Sequence, residues 1–255
     1  MVRFGLCTGL ISAALTLLIA PWIREPLWVI FRRCVSIGAA ISLWLSVKHF
    51  ERRSLRSYGF SGTGAGKRQL LFGVLLGLGT LGLLFGIGWA SGTCRVAITP
   101  ERSKLWWTVL SFIPAAAIVS ILEELVFRGF LLQRLFAFSR PIAVTVSSAL
   151  YAVVHLKTAS LSVGVGLELI GLFLLGSVLS LSYLATNQLY LALGLHASFA
   201  YGARVNKLVV QFSPESPASW LMGTSRLVNG LLSWVLLLSV GGLFLWWIRS
   251  TRRRA

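Results

Sequence analysis

Long apolar runs separated by short polar segments dominate the pattern of this chain. Eight such runs lie near residues 4–20, 28–47, 69–91, 108–136, 141–157, 162–184, 187–205 and 228–248. Each is close to the length of about 20 residues with which an α-helix crosses the hydrocarbon core of a bilayer. Because backbone polar groups in lipid must be paired within the chain, these runs predict an all-α, polytopic integral membrane bundle of about eight transmembrane helices and no sheet. We expect a single membrane domain over residues 1–255.

The amino-acid composition also indicates a membrane protein, and the distribution of its basic residues indicates which partners they contact. The chain is 56% hydrophobic and only 12% charged, whereas a soluble domain has about 25% charged residues. Its net charge of +17 would suit nucleic acid, but the basic residues lie mostly between the apolar runs or at the chain ends. That distribution sets membrane topology and contacts anionic lipid headgroups. We therefore expect anionic lipids, and no nucleic acid, as partners of the basic residues.

The same basic residues predict an orientation. When the loops are assigned alternately to the two faces, more lysines and arginines fall on the side of the two termini. The dense segment 48–68 and the tail Arg252-Arg253-Arg254 both lie on that side. Because cytoplasmic loops carry the excess of basic residues, we expect both termini to be cytoplasmic. The short loops favour a multi-pass protein of a bacterial inner membrane.

Three ionisable residues, Glu123, Glu124 and Arg128, interrupt the fourth apolar run. A charge at the bilayer centre costs roughly 2.5–3.5 kcal/mol on insertion scales, so such residues usually pair with one another or line a functional cavity. Glu124 and Arg128 are four residues apart and share one helix face, which predicts a structural ion pair. Glu123 is rotated from Glu124 by about 100°, so we expect its carboxylate to be free for chemistry.

Two histidines lie in later runs, His155 near the end of the fifth and His196 within the seventh. A carboxylate can act as a general base on a water that it shares with one imidazole, and a second imidazole can stabilise an oxyanion. Those are the groups that hydrolysis of an amide needs. We therefore expect Glu123, His155 and His196 to face one cavity. Glu168, within the sixth run, has no role assigned from the sequence.

The order of these residues resembles the three motifs of a known family of intramembrane proteases. The first motif corresponds to Glu123-Glu124-x-x-x-Arg128, the second to an aromatic residue followed four positions later by His155, and the third to His196. This pattern is similar to that of the CPBP family, the CAAX prenyl endopeptidase and bacteriocin-processing proteins, also called Abi proteins. The resemblance covers about residues 105–205, which correspond to the catalytic core helices of that family.

Two positions depart from the motifs of the family. The second motif usually opens with phenylalanine, and this chain has Tyr151 there. The third usually has asparagine or another polar residue four positions after its histidine, where this chain has Ala200. The polar group that would help to hold an oxyanion is therefore missing at this position, and the candidates to supply it are Ser198, Tyr201 or a residue of another helix.

The resemblance implies an intramembrane endopeptidase acting on a peptide or protein in or near the membrane. Glu123 would be the general base, His155 would position water, and His196 would polarise the scissile carbonyl. The chain has no HExxH zinc motif, but the same three residues could hold zinc with water as the fourth ligand. We favour the metal-free reaction, which requires no cofactor, because both histidines then already have roles.

Two other classes of function stay open at this point. A non-catalytic membrane scaffold, or a bacteriocin immunity protein that binds a peptide partner, is favoured by Ala200. A proton-coupled transporter is a further alternative, since intramembrane acids, bases and histidines also form proton relays. The chain shows no pair of similar halves, which disfavours transport.

Overall fold

Helices form almost all of the structure of this protein. The computed structural model describes residues 2–51, 54–60, 64–98, 101–156, 162–213, 215–216, 219–222 and 227–252. The α-helices in these residues are α1 (Val2–Ile19), α2 (Leu27–Leu45), α3 (Ala65–Ala90), α4 (Arg102–Glu124), α5 (Gln133–Leu135), α6 (Arg140–Val154), α7 (Val163–Thr186), α8 (Tyr190–Val209), α9 (Ser219–Met222) and α10 (Leu231–Arg252). Two π-helical segments, Ser46–Glu51 and Leu125–Leu132, extend α2 and α4, and Ala20–Trp22 and Leu55–Tyr58 are 3-10 helices. The prediction of an all-α membrane bundle is confirmed.

Not every predicted span corresponds to a helix that is long and apolar enough to cross a membrane. A helix lies at each of the eight apolar runs, but within the described ranges only six helical stretches are long and apolar enough to cross a membrane. They are Arg3–Trp22, Leu27–His49, Ala65–Ala90, Ser103–Leu135, Val163–Thr186 and Leu231–Thr251. Helix α6 has 15 residues, short of the roughly 20 that a span requires. Helix α8 carries Arg204 and Lys207 in its last two turns. The predicted count of eight spans is therefore not confirmed.

The prediction that no sheet forms is wrong. Strands β1 (Cys94–Val96) and β2 (Val210–Phe212) form a two-stranded antiparallel sheet in which Cys94 is paired with Phe212. The side chain of Arg95 donates two hydrogen bonds to Gln211 Oε1, at 3.0 and 2.8 Å. Strand β2 directly follows α8, and β1 follows α3 after a short turn. The prediction failed because the requirement that backbone groups in lipid be paired internally applies only within the apolar runs. Both strands lie beyond the ends of those runs.

The interior of the bundle surrounds the π-helical extension of α4. All eight residues of the segment Leu125–Leu132 are buried. Helix α6 packs on α7, α7 packs on α10, and α8 packs on both α3 and α4. Apolar side chains of these helices form one continuous core, including Phe130, Leu132, Tyr151, Leu179, Leu191 and Leu195. The charged residues of the fourth apolar run therefore lie at the centre of the protein.

Local capping signals fix where the histidine-bearing helices begin and end. The side chain of Ser139 caps α6 by accepting a hydrogen bond from the Ile142 amide at 3.3 Å, and a proline lies in the first turn. Ser162 caps α7 in the same way through the Val165 amide. Asn187, in the left-handed conformation with φ 52°, ends α7, and α8 begins three residues later. His155 consequently follows the last residue of α6, and His196 lies in the second turn of α8.

Close approach of α3 and α8 depends on glycines. A Cβ atom on Gly73 would meet the carbonyl oxygen of Leu191 and lie 3.0 Å from the amide nitrogen of Leu195. A Cβ atom on Gly194 would likewise meet the carbonyl oxygen of Leu70. The absence of side chains at these positions lets the two backbones touch, which holds the histidine-bearing part of α8 in place.

Gly73→Ala should destabilise the protein, because the added methyl meets backbone atoms that cannot rotate away. We expect a loss of about 1–3 kcal/mol, the usual range for overpacking, measured as a lower melting temperature in detergent. Gly79→Ala is the matched control on the same helix, since a Cβ atom there has nothing within 4 Å. This control should be neutral or stabilising by up to about 1 kcal/mol, the difference in helix propensity. Equal melting temperatures for the two variants would contradict the proposed role of the contact.

Candidate active site

Glu124 and Arg128 form an ion pair in the interior of the bundle. Arg128 Nη1 donates to Glu124 Oε1 at 2.8 Å, and both side chains have no solvent exposure. Arg128 Nη2 donates to the carbonyl oxygen of Gly176 on α7 at 3.0 Å. The pair lies where α4 becomes π-helical, a backbone distortion that is frequent at functional sites. The guanidinium thus joins α4 to α7 as well as balancing one carboxylate.

Glu124 has a second partner that the sequence did not predict. His196 Nδ1 lies 2.7 Å from Glu124 Oε1, the same oxygen that accepts from Arg128. The ionised carboxylate only accepts hydrogen bonds, so this ring nitrogen carries the proton. Glu124 therefore fixes the orientation of His196, as a carboxylate does for many functional histidines, in addition to pairing with Arg128.

The carboxylate of Glu123 faces two imidazoles. The sequence had suggested that this carboxylate has no ionic partner. Its Oε2 atom lies 3.1 Å from His155 Nε2 and 3.6 Å from His196 Nε2. The side chain of Glu123 is 12% exposed, whereas that of Glu124 is fully enclosed. The structure thus brings together the three residues that were expected to face one cavity. It also separates the surroundings of the two adjacent glutamates.

Backbone and carboxylate partners determine which nitrogen of each histidine faces the cavity. His155 Nδ1 lies 2.8 Å from the carbonyl oxygen of Tyr151, an acceptor, so Nδ1 carries a proton there too. In both imidazoles the Nδ1–H is engaged by the protein, and Nε2 points toward Glu123. Each Nε2 is an acceptor in the neutral ring and a donor in the imidazolium.

These groups line a cavity of about 580 Å³. That volume is within the usual range of about 300–1,000 Å³ for ligand sites. Polar side chains occupy a small part of the wall, and the remainder is mostly apolar. The lining residues include Phe112, Glu123, Tyr151, His155, Glu168, Leu172, Leu175, His196, Phe199, Ala200, Lys207, Leu236 and Leu237. A mostly apolar wall with one polar cluster suits a peptide segment with apolar side chains.

The hydroxyls of Ser198 and Tyr201, the candidates for the polar group missing at Ala200, bind backbone carbonyls. Ser198 Oγ donates to the carbonyl oxygen of Gly194 at 2.9 Å, and Tyr201 Oη donates to that of Val109 at 3.2 Å. Neither residue lines the cavity, whereas Ala200 does. Tyr151 lines it as well, with its hydroxyl oxygen 3.5 Å from His196 Nε2. The change from phenylalanine to tyrosine in the second motif was the sequence signal for this hydroxyl.

A zinc site was the alternative use of Glu123, His155 and His196. In the part of the chain that the structure describes, no group of three or more His, Cys, Asp or Glu side chains is arranged to hold a metal ion. The zinc alternative therefore stays a prediction, and the reaction proposed for this site is derived from the side chains alone.

Comparison with known proteins gives one match. Residues 105–202 match the sequence model of the family described as type II CAAX prenyl endopeptidase Rce1-like. The matched segment runs from α4 into α8 and contains Glu123, Glu124, Arg128, Tyr151, His155 and His196. No curated protein and no solved structure is significantly similar to the chain.

Proposed function

We propose that this chain, whose residues 105–202 belong to the type II CAAX prenyl endopeptidase Rce1-like family, hydrolyses a peptide bond with a water molecule activated by Glu123. The match supports a CAAX-type intramembrane endopeptidase, and therefore a hydrolase. Its substrate is a membrane-associated peptide or protein.

The proposal rests above all on the position of Glu123 between two imidazoles. Because its Oε2 atom lies within 3.1–3.6 Å of both Nε2 atoms, a water bound to this carboxylate would also contact His155. A general base must lie within about 2.6–3.2 Å of the proton it takes, directly or in a tightened working complex. Glu123, at the wall of the cavity, is accessible to such a water, whereas Glu124 is enclosed by Arg128 and His196.

The charges of Glu123, Glu124 and Arg128 favour one additional proton on the pair of imidazoles. Two carboxylates and one guanidinium leave one negative charge when both imidazoles are neutral. One imidazolium makes the cluster neutral, and a neutral cluster avoids the cost of an uncompensated buried charge. Of the two imidazoles, His196 is the better placed to donate to an oxyanion, because Glu124 holds its Nδ1–H at 2.7 Å and its Nε2 faces the cavity.

The reaction then follows from these positions. Glu123 takes a proton from the water, and the hydroxide oxygen forms a bond to the scissile carbonyl carbon. His196 Nε2–H stabilises the negative charge that develops on the carbonyl oxygen. Glu123 returns the proton to the leaving nitrogen as the carbon–nitrogen bond breaks, so the site ends in its starting state. Glu124 and Arg128 do not touch the substrate and act by positioning His196.

Cleavage of a defined reporter tests the proposal. The full chain would be reconstituted into liposomes containing anionic lipid, together with a fluorescent peptide that ends in a CAAX sequence and is prenylated on its cysteine. The unprenylated peptide and a peptide with a transmembrane tail serve as matched alternatives. We expect at least one reporter to be cut at a single bond, as identified by mass spectrometry. Binding of all three without cleavage would favour the non-catalytic scaffold instead.

Removal of metal ions distinguishes a metal-free reaction from a zinc-dependent one. We expect cleavage to persist after the protein has been treated with a strong zinc chelator and dialysed into metal-free buffer, because Glu123 activates the water directly. The measurement is the initial rate before treatment, after treatment and after zinc has been added back. A loss of activity that zinc alone restores would assign the metal-dependent mechanism.

A further inference from the structure

We propose that the hydroxyl of Tyr151 donates a hydrogen bond to the oxyanion formed during peptide-bond hydrolysis. This inference rests on the proposed function and adds a catalytic residue to it. The hydroxyl oxygen lies 3.5 Å from His196 Nε2, and both residues line the cavity that contains Glu123. A carbonyl oxygen polarised by His196 would therefore lie beside this hydroxyl.

The ring of Tyr151 is held rigidly. It meets the ring of Phe127 edge-on with the centroids 5.3 Å apart, and its centroid lies 4.1 Å from that of the His155 ring, which follows the last residue of the same helix. The Arg128 guanidinium lies 4.8 Å from the Tyr151 ring centroid. Tyr151 is 2% exposed. A donor fixed in advance loses little free energy through reorganisation when charge develops on the substrate.

The hydroxyl is also poorly satisfied by the protein. O–H donors usually lie 2.7–2.8 Å from their acceptors, whereas this hydroxyl oxygen lies 3.5 Å from His196 Nε2. Within the described residues it has no closer partner. Buried polar groups normally have a good partner, so a substrate oxygen would complete the hydrogen bonding of this group.

The protonation of His196 strengthens the argument. When that ring is neutral, its Nδ1 proton is used by Glu124, and Nε2 offers only a lone pair. The Tyr151 hydroxyl can donate in either protonation state of the histidine. Ala200 lines the same wall but has no donor, and the hydroxyls of Ser198 and Tyr201 are used by backbone carbonyls. Tyr151 is thus placed to provide the second donor of the oxyanion site.

Tyr151→Phe removes the hydroxyl and keeps the ring contacts. We expect kcat to fall by about 10²–10³, the usual effect of removing one oxyanion donor, with KM and the melting temperature little changed. Rates are expressed per folded protein, so any loss of fold does not enter kcat. Tyr201→Phe is the matched control, because its hydroxyl donates to Val109 outside the cavity. This control should retain the wild-type kcat.

A second variant distinguishes an oxyanion donor from a group that only positions His196. Ala200 lies one helical turn after His196 on the cavity wall, so Ala200→Asn introduces an amide donor there. We expect the double variant Tyr151→Phe with Ala200→Asn to have a kcat at least tenfold higher than that of Tyr151→Phe alone. Loss of kcat without recovery would assign Tyr151 to positioning and overturn the oxyanion role. Full activity of Tyr151→Phe would also overturn it, whereas failure of the wild type to cleave would instead contradict the proposed function.

Discussion

Glu123→Gln should abolish cleavage while the protein remains folded. Glutamine keeps the size of the side chain but cannot accept the proton of the attacking water, and loss of general-base catalysis alone costs about 10²–10⁴ in rate. The fold should persist because Glu123 lies at the cavity wall, where its side chain is 12% exposed and its carboxylate faces the two imidazoles of the site. The measurements are the initial rate of reporter cleavage and the melting temperature of the purified variant.

The matched control is Glu25→Gln, which removes one carboxylate from an exposed position in the segment between α1 and α2. It should cleave at the wild-type rate. If Glu123→Gln retained cleavage while a folded Glu124→Gln variant was inactive, the roles assigned to the two glutamates would be reversed. If both variants cleaved normally, the proteolytic function itself would be contradicted.

Much of the fold follows from local patterns that can be read along the chain. The apolar runs predicted the long helices because a stretch of about 20 apolar residues has few other stable states in lipid. The Glu124–Arg128 contact could also be predicted from the sequence, since residues four apart on a helix are neighbours. The expected resemblance is supported by the family match over residues 105–202, which is the region where the charged motif and the two histidines lie.

The remaining features depend on contacts between distant parts of the chain. The bond between His196 and Glu124 joins α8 to α4 across 72 positions, and no periodicity encodes such a pairing. Strands of three residues, as in β1 and β2, are too short to leave a recognisable alternation. The interior position of α8 arises from glycines on α3 and α8 that allow close approach, and hydropathy along the chain does not encode such contacts.

Glu124→Gln should have the largest effect on stability. Arg128 would lose the counter-charge that lies 2.8 Å away in an interior without solvent exposure, and His196 would lose the ionised acceptor of its Nδ1–H. Removing one member of a buried ion pair costs about 3–5 kcal/mol in soluble proteins. We therefore expect a low yield of folded protein from membranes and a much lower melting temperature.

The double variant Glu124→Gln with Arg128→Met separates the two contributions of Glu124. Replacing both partners of a buried ion pair by uncharged groups is often neutral or stabilising, so the folded yield should recover toward that of the wild type. Cleavage should stay low, because His196 still lacks the carboxylate that orients its ring and stabilises the imidazolium. Recovery of both yield and cleavage would show that Glu124 serves only to balance Arg128. A folded, fully active Glu124→Gln single variant would contradict both contributions, since the buried guanidinium and the histidine would then each be independent of this carboxylate.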